Sequence, residues 1–244
     1  MGETTEVQAA DGAAEAYLTG TAGDPGVLFY IDAIGLRRQI EDMADRIASW
    51  GYVVLAPNVF YRDGVAADLA PKKDLREPGA REEFFASLGD RVPGYTPDKS
   101  GPDADAWARA LLEHAGDGPI AVTGYCMGAR LAVRTGGQLP GTVAAVGGFH
   151  GGGLVTDAED SPHLSIAGST AEYVFGHADH DRSMTLENVA ALEETLQGAG
   201  RPHLNEVYPD APHGYSMADT SMYQEAGAER HFKELAGLLA RTFR

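Results

Sequence analysis

The stretch Ile-Ala-Val-Thr-Gly-Tyr-Cys-Met-Gly at residues 120–128 decides the fold of this chain. An apolar run at 120–123 meets a cysteine flanked by glycines, and a helical pattern follows through 129–133. A short apolar run that passes through a tight turn into a helix predicts a buried strand followed by a packed helix. The pattern G-x-C-x-G is that of a nucleophile elbow, with Cys126 where serine more often occurs.

The residue types of this elbow suit a reactive thiol. Gly124 and Gly128 have no Cβ, so the strand and the helix can approach each other closely around the turn. The positive end of the helix favours the thiolate form of Cys126, and the Met127 N–H points to where an oxyanion would develop. The alternative is a buried structural cysteine beside two packing glycines, since free cysteine is among the most buried residue types.

Further apolar or β-prone runs alternate with helical patterns on both sides of the elbow. The runs lie at 27–31, 52–56, 142–146, 173–175 and 204–208. Helical spacing of apolar residues appears between them and again at the end of the chain, where Phe232 and Leu235 are among the apolar positions. This alternation predicts an α/β fold with a mostly parallel central sheet and helices on both faces, built as one domain over residues 1–244.

Residues 58–101 depart from this alternation. They are rich in Asp, Lys, Arg, Pro and Gly, yet they contain Phe84, Phe85 and Leu88. A linker has little need of aromatic residues, so we interpret the segment as an excursion that covers a pocket.

An acid and a base follow the elbow at the ends of two later predicted strands. Asp179 comes just after the strand that ends near Gly176, and His213 follows the strand at 204–208. Loops beyond the carboxyl ends of parallel strands meet at one edge of the sheet. We therefore expect His213 to act as the base for Cys126 and Asp179 to orient it. Asp181 and Asp210 are competing carboxylates.

Two other sequence patterns indicate alternative functional sites. Gly214-Tyr-Ser216-Met-Ala218 resembles a serine elbow, but it lacks the second glycine and is followed by only one histidine, His231. A metal site is the other possibility, since four potential ligands are close in sequence. They are His177, Asp179, His180 and Asp181. Adjacent loop residues rarely all face one ion, so we predict neither a metal nor another cofactor.

Charge and cysteine content exclude several classes of protein. The formal net charge is −17, which disfavours nucleic acid and anionic membranes as partners. The single cysteine excludes an intramolecular disulfide and a cysteine zinc site. The N-terminus lacks the pattern of a signal peptide, and no apolar run is long enough to span a membrane. We expect a cytoplasmic protein, as a monomer or a small homo-oligomer.

Three motifs together resemble the dienelactone hydrolase family. They are the cysteine elbow at 124–128, the turn from Gly176 to Asp179 and the turn Pro212-His213-Gly214, and the resemblance runs from about Val27 to the last helix. It implies an α/β-hydrolase fold and cleavage of the cyclic enol ester of carboxymethylenebutenolide. Cys126, Asp179 and His213 would then be the catalytic triad.

The resemblance also implies roles for residues outside the triad. Asp32 occupies the place of a family glutamate that contacts the resting thiol, although it could instead cap a helix that begins near Gly35. The Ala33 N–H would be the second oxyanion donor. Two family arginines bind a substrate carboxylate; Arg81 matches one, but Met217 replaces the other, so a less anionic or larger ester is expected.

Other candidate pocket residues are polar or aromatic. They are Phe85, Tyr125, His150, His163 and Tyr215. The leading hypothesis is a hydrolase that cleaves a small ester or lactone through an acyl-enzyme on Cys126. A thiol-dependent acyl transferase or cyclase would use the same elbow, and a non-catalytic binding protein on a hydrolase scaffold remains a third alternative.

Overall fold

A computed structural model describes residues 2–244. Its strands are β1 (Glu3–Ala9), β2 (Gly12–Thr19), β3 (Gly26–Tyr30), β4 (Val53–Pro57), β5 (Ile120–Tyr125), β6 (Val143–Phe149), β7 (Glu172–His177) and β8 (His203–Val207). Its helices are α1 (Arg38–Ala48), α2 (Ala66–Leu69), α3 (Ala80–Ser87), α4 (Pro97–Leu112), α5 (Met127–Gln138), α6 (Leu186–Gly198) and α7 (Glu225–Thr242), with a 3₁₀ helix at Pro162–Gly168.

The strands form one sheet in the order β1-β2-β4-β3-β5-β6-β7-β8. β3 to β8 run parallel, and β1 and β2 are antiparallel additions at one edge. The predicted mostly parallel sheet is therefore confirmed. The hairpin of β1 and β2 lies outside the predicted strands, although Glu3–Ala9 ends with alternating exposed and buried residues, as expected for an edge strand with one face on the core.

Helices cover both faces of the sheet, as two neighbouring glycines of β6 show. A Cβ placed on Gly147 would lie 3.2 Å from Leu235 of α7, whereas one on Gly148 would lie 3.5 Å from Ala129 of α5. Successive strand residues point to opposite faces, so α7 and α5 lie on opposite sides. All of the residues of β3 and β5 are buried, which explains why these strands are continuously apolar rather than alternating.

The register of the central strands brings their carboxyl ends to one edge. Tyr30 of β3 pairs with Gly124 of β5, and Tyr125 pairs with Phe149 of β6. The loops that follow β3, β5, β7 and β8 consequently open at the same edge, which is where ligands bind in open α/β sheets. Among residues 2–244, no helix is long and apolar enough to cross a membrane.

Candidate active site

Cys126 occupies a sharp turn between β5 and α5 with an unusual backbone conformation. Its φ is 55° and its ψ is −116°, a region that costs most side chains free energy and often marks functional sites. A Cβ on Gly124 would collide with the carbonyl oxygen of Gly128, and one on Gly128 would lie 2.5 Å from the carbonyl oxygen of Ile31. Both glycines are therefore required for the turn, which leaves the Cys126 side chain half-buried at the sheet edge.

His213 reaches the sulfur from the loop after β8. Its Nε2 lies 3.1 Å from Cys126 Sγ. The loop is fixed by hydrogen bonds from the Tyr208 N–H to the His177 carbonyl and from the Ala211 N–H to the Tyr208 carbonyl. Gly214, with φ of 95°, allows the chain to bend immediately after the histidine. The structure thus brings together the predicted cysteine and histidine.

Asp181, and not Asp179, is the carboxylate that contacts His213. Asp181 Oδ2 accepts a 2.6 Å hydrogen bond from His213 Nδ1. Its other oxygen accepts bonds from the Ser183 N–H at 2.8 Å and from the Ser183 hydroxyl at 2.7 Å. With 5% of its side chain exposed, Asp181 is fixed through both oxygens. The prediction that Asp179 contacts His213 was wrong, because the contacting carboxylate lies two positions later in the chain.

The geometry of the loop after β7 explains this correction. Asp179 Oδ1 accepts the His180 N–H and Oδ2 accepts the Asp210 N–H, each at 2.9 Å. The Asp179 N–H in turn donates to the Ala211 carbonyl at 2.7 Å. Asp179 therefore ties the loop after β7 to the loop after β8. The positive φ of His180, 52°, then turns the chain back so that Asp181 reaches His213.

The local electrostatics favour a thiolate–imidazolium pair. Burial alone would raise the pKa of Cys126, but the neighbouring His213 outweighs it and the pKa falls below its usual value. Burial would likewise lower the pKa of His213, but the Cys126 sulfur and the Asp181 carboxylate raise it to about 10. The two pKa values shift in opposite directions, but each shift stabilises the charged form of its group.

Asp32 does not contact the thiol. Both of its carboxylate oxygens accept hydrogen bonds from the Arg37 guanidinium, at 2.7 and 3.2 Å. The same guanidinium binds Asp219 at 2.6 and 3.1 Å, and it lies 3.5 Å from the sulfur of Met217. Asp32 also is not the N-cap of α1, which begins at Arg38. The predicted contact with the resting thiol is replaced by a buried ion pair.

A cavity of about 560 Å³ opens beside the sulfur. Its walls come from the loops at the sheet edge and from the excursion at 58–101. They are formed by Ala33, Phe85, Leu88, Gly89, Val92, Cys126, Met127, Arg130, Gly152, Gly153, Ser183 and His213. Phe85, Ala33 and Met127, three of the predicted site residues, therefore line the cavity beside Cys126.

Five of the predicted pocket residues lie elsewhere. The Tyr125 ring is buried and stacked on Phe29 at 4.7 Å. The Tyr215 hydroxyl donates to the Gly176 carbonyl at 3.0 Å. His150 Nε2 lies 2.8 Å from Ser216 Oγ, and both residues are buried. These side chains support the site from behind.

Arg81 is the fourth, and it too is absent from the cavity wall. Its guanidinium lies over the Phe85 ring, 4.6 Å from the centroid. His163 is also outside the wall, since its Nδ1 pairs with the Ser161 hydroxyl at 2.8 Å.

Comparison with known proteins places the chain in a family. The sequence pattern of the dienelactone hydrolase family matches residues 14–243. The chain belongs to the dienelactone hydrolase family. It is 28% identical over 210 residues to a Salmonella typhi protein named as a candidate carboxymethylenebutenolidase, spanning 84% of this chain and 73% of that one.

Solved structures support the same fold. A candidate dienelactone hydrolase from Klebsiella pneumoniae superimposes with a TM-score of 0.79 at 20% identity, over 99% of this chain and 98% of that one. A dienelactone hydrolase-like promiscuous phosphotriesterase from metagenomic libraries gives 0.80 at 18% identity, over 100% and 99% of the two chains. The predicted α/β-hydrolase fold is confirmed, and this member of the dienelactone hydrolase family is a hydrolase.

Two residues at the site of this family member were not predicted from the sequence. Ser183 follows the contacting carboxylate by two positions and bonds to it twice. Arg130 follows Cys126 by four positions, one turn along α5, and lines the cavity. The four-residue spacing was the signal for Arg130, because residues i and i+4 of a helix are neighbours.

The candidate metal ligands have other partners. His177 Nε2 lies 2.6 Å from Asn205 Oδ1, Asp179 accepts two backbone amides, and Asp181 contacts His213. Within the described residues, no group of three or more His, Cys, Asp or Glu side chains could hold a metal ion.

Proposed function

We propose that this chain hydrolyses a small carboxylic ester or lactone through a Cys126-His213-Asp181 triad. The observation that carries the proposal is the 3.1 Å approach of His213 Nε2 to Cys126 Sγ at a strained elbow. A nucleophile paired with a base, which is oriented in turn by a third group, is the arrangement that activates covalent catalysis. The cavity of about 560 Å³ at the sulfur is the size of a small-molecule site.

The first half of the reaction forms an acyl-enzyme. The Cys126 thiolate attacks the ester carbonyl carbon, and the carbonyl π electrons move to oxygen. Met127 begins α5, and the first N–H groups of a helix have no intrahelical acceptor. Its N–H and that of Ala33, in the loop after β3, would stabilise this oxyanion. When the intermediate collapses, the C–O bond breaks and the His213 imidazolium protonates the leaving alkoxide.

The second half returns the enzyme to its starting state. Neutral His213 takes a proton from water, and the resulting hydroxide attacks the thioester carbonyl. Collapse of that intermediate expels the Cys126 thiolate and leaves the carboxylic acid, which ionises. Asp181 holds His213 in the tautomer with the proton on Nδ1 throughout, so that Nε2 faces the reacting atoms. For a lactone, the leaving alkoxide is part of the same product.

The proposal is tested by turnover of a neutral chromogenic ester, p-nitrophenyl acetate. Cys126→Ala removes the attacking atom and little volume, so we expect turnover to disappear while the thermal melting temperature is preserved. Iodoacetamide should inactivate the native protein with one adduct per chain. The control is Ser216→Ala, which removes the buried hydroxyl of the second elbow-like motif and should leave turnover in place. Turnover in Cys126→Ala equal to that of the native protein would refute the proposal.

A further inference from the structure

Arg130 brings a positive charge into the cavity without a partner for it. It lies on α5 one turn beyond Cys126 and lines the cavity. Within residues 2–244, its guanidinium has no salt bridge and no side-chain hydrogen bond. Arg134, one turn further along the same helix, pairs instead with Asp160 at 3.4 Å.

The lack of a partner is notable because carboxylates are plentiful. The chain has 36 Asp and Glu residues against 19 Lys and Arg, yet no carboxylate lines this cavity within the described residues. Arg37, in contrast, is shared between two carboxylates. The cavity therefore has a local positive charge inside a strongly negative protein.

Partial burial makes this charge costly to the free protein. Burial lowers the pKa of Arg130, because the charged guanidinium has lost part of its water, and the Cys126 sulfur only partly opposes this effect. A charge that has lost solvent without gaining a partner is poorly stabilised. An anion entering the cavity would supply that partner, and a guanidinium can bind a carboxylate through two parallel hydrogen bonds.

The arginine positions expected from the family resemblance do not supply this contact. Arg81 lies over Phe85 outside the cavity wall. Met217 is buried against Arg37, whose own charge is used by Asp32 and Asp219. The part of the wall contributed by the excursion at 58–101 includes the apolar residues Phe85, Leu88 and Val92 and carries no charge.

We propose that Arg130 is a specificity-determining residue that binds a carboxylate carried by the ester or lactone, so that the preferred substrates are monoanionic. The inference deepens the proposed hydrolase function and rests on it for its kinetic consequences. It replaces the expectation of a less anionic substrate, because Arg130 on α5 supplies a positive group to the cavity although Met217 is not an arginine.

The first test measures binding without catalysis. Glutarate is titrated calorimetrically into Cys126→Ala, into Cys126→Ala with Arg130→Met, and into Cys126→Ala with Arg134→Met. A charge-assisted hydrogen bond predicts that Arg130→Met weakens glutarate binding by roughly 10- to 100-fold. Arg134→Met makes the same change of charge on the same helix outside the cavity and should bind like the parent. Equal affinity of all three proteins, or no binding to any, would overturn the inference.

The second test measures kcat/KM for two matched pairs of esters. One pair is p-nitrophenyl hemiglutarate and p-nitrophenyl pentanoate, with the charge on the acyl side. The other pair is 4-carboxyphenyl acetate and phenyl acetate, with the charge on the leaving group. Arg130→Met should lower kcat/KM for the charged member of one pair by roughly 10- to 100-fold, mostly through KM, and Arg130→Lys should restore part of it.

The outcomes separate this inference from the proposed function. An equal loss for charged and neutral esters would mean that Arg130 acts on the thiolate, which overturns the binding role. No loss for either charged ester would also overturn it. If Cys126→Ala kept its esterase turnover, the proposed function would fall, yet glutarate binding would still decide the role of Arg130.

Discussion

The Arg37 guanidinium holds both oxygens of Asp32, at 2.7 and 3.2 Å, in a site where 8% of one side chain and 5% of the other are exposed. This ion pair determines what Asp32 can do to the thiol. The Asp32 charge raises the pKa of Cys126, although burial raises it more and His213 outweighs both. With Arg37 in place, much of the repulsion between Asp32 and the thiolate is neutralised.

Removal of Arg37 should expose that repulsion. We expect Arg37→Met to raise the apparent pKa for iodoacetamide alkylation of Cys126, because Asp32 is left with an uncompensated charge. It should also destabilise the fold by ~3–5 kcal/mol, the usual cost of leaving a buried charge unpaired. Alkylation rates from pH 5 to 10 and denaturant unfolding measure the two effects. The double variant Asp32→Asn with Arg37→Met should return the alkylation pKa to its original value; a pKa that stays high in the double variant would contradict the explanation.

The two carboxylates of the loop after β7 should differ sharply in function. Asp181→Asn removes the acceptor for His213 Nδ1 and disturbs the tautomer, so kcat should fall by ~10⁴-fold, as in other triads. Asp179→Asn affects the turn between two loops and should leave kcat within about tenfold, since no reacting group depends on it directly. Steady-state kinetics on p-nitrophenyl acetate compares them. The opposite ranking would mean that Asp179 is the orienting carboxylate.

Ser183 should act as a positioning residue for Asp181. Its hydroxyl donates to Asp181 Oδ1 at 2.7 Å, so Ser183→Ala removes one of the bonds that fix the carboxylate. We expect kcat to fall by roughly two- to tenfold, the worth of one ordinary hydrogen bond, with little change in KM. Ser183→Thr keeps the hydroxyl and should recover the rate. An unaltered kcat and an unaltered pH profile in Ser183→Ala would leave Ser183 with a purely structural role.

The charge state of the site predicts a distinctive pH dependence of thiol reactivity. The pKa of Cys126 is lowered and that of His213 is raised to about 10, so both shifts favour the thiolate–imidazolium pair over the neutral pair. Alkylation should therefore remain fast below pH 8.5, the region where an ordinary thiol is mostly protonated, and should fall only as the pH drops through the Cys126 pKa. His213→Asn removes the cation, and the midpoint should then move upward. A midpoint near 8.5 in the native protein would contradict the ion pair.

Much of the fold and half of the site could be predicted because local requirements determine them. The glycines at 124 and 128 predicted a close approach of strand and helix, and in the structure a Cβ at either position would collide with a backbone carbonyl oxygen. His213 follows a strand, and parallel strands gather their carboxyl ends at one edge. The alternation of apolar runs and helical patterns was enough to predict the parallel part of the sheet and both helical layers, but not the hairpin of β1 and β2.

The remaining features depend on backbone conformation and on tertiary contacts. Asp179 and Asp181 are separated by a single residue, and the positive φ of His180 decides which of them reaches His213. A positive φ is uncommon in residues other than glycine, so it was not expected at His180. The sequence does not determine whether the Asp32 side chain faces the thiol or another partner. The structure shows that the guanidinium of Arg37, five residues later, donates to both Asp32 carboxylate oxygens.

Acyl transfer on Cys126 is tested most directly by trapping the acyl-enzyme intermediate. The protein is mixed with p-nitrophenyl acetate, quenched in acid within one turnover, digested and analysed by mass spectrometry. We predict an acetyl adduct, sensitive to hydroxylamine, on the peptide that contains Cys126, and we predict that it decays no more slowly than kcat. An acetyl adduct confined to Ser216, or steady turnover in Cys126→Ala at the native rate, would contradict the account.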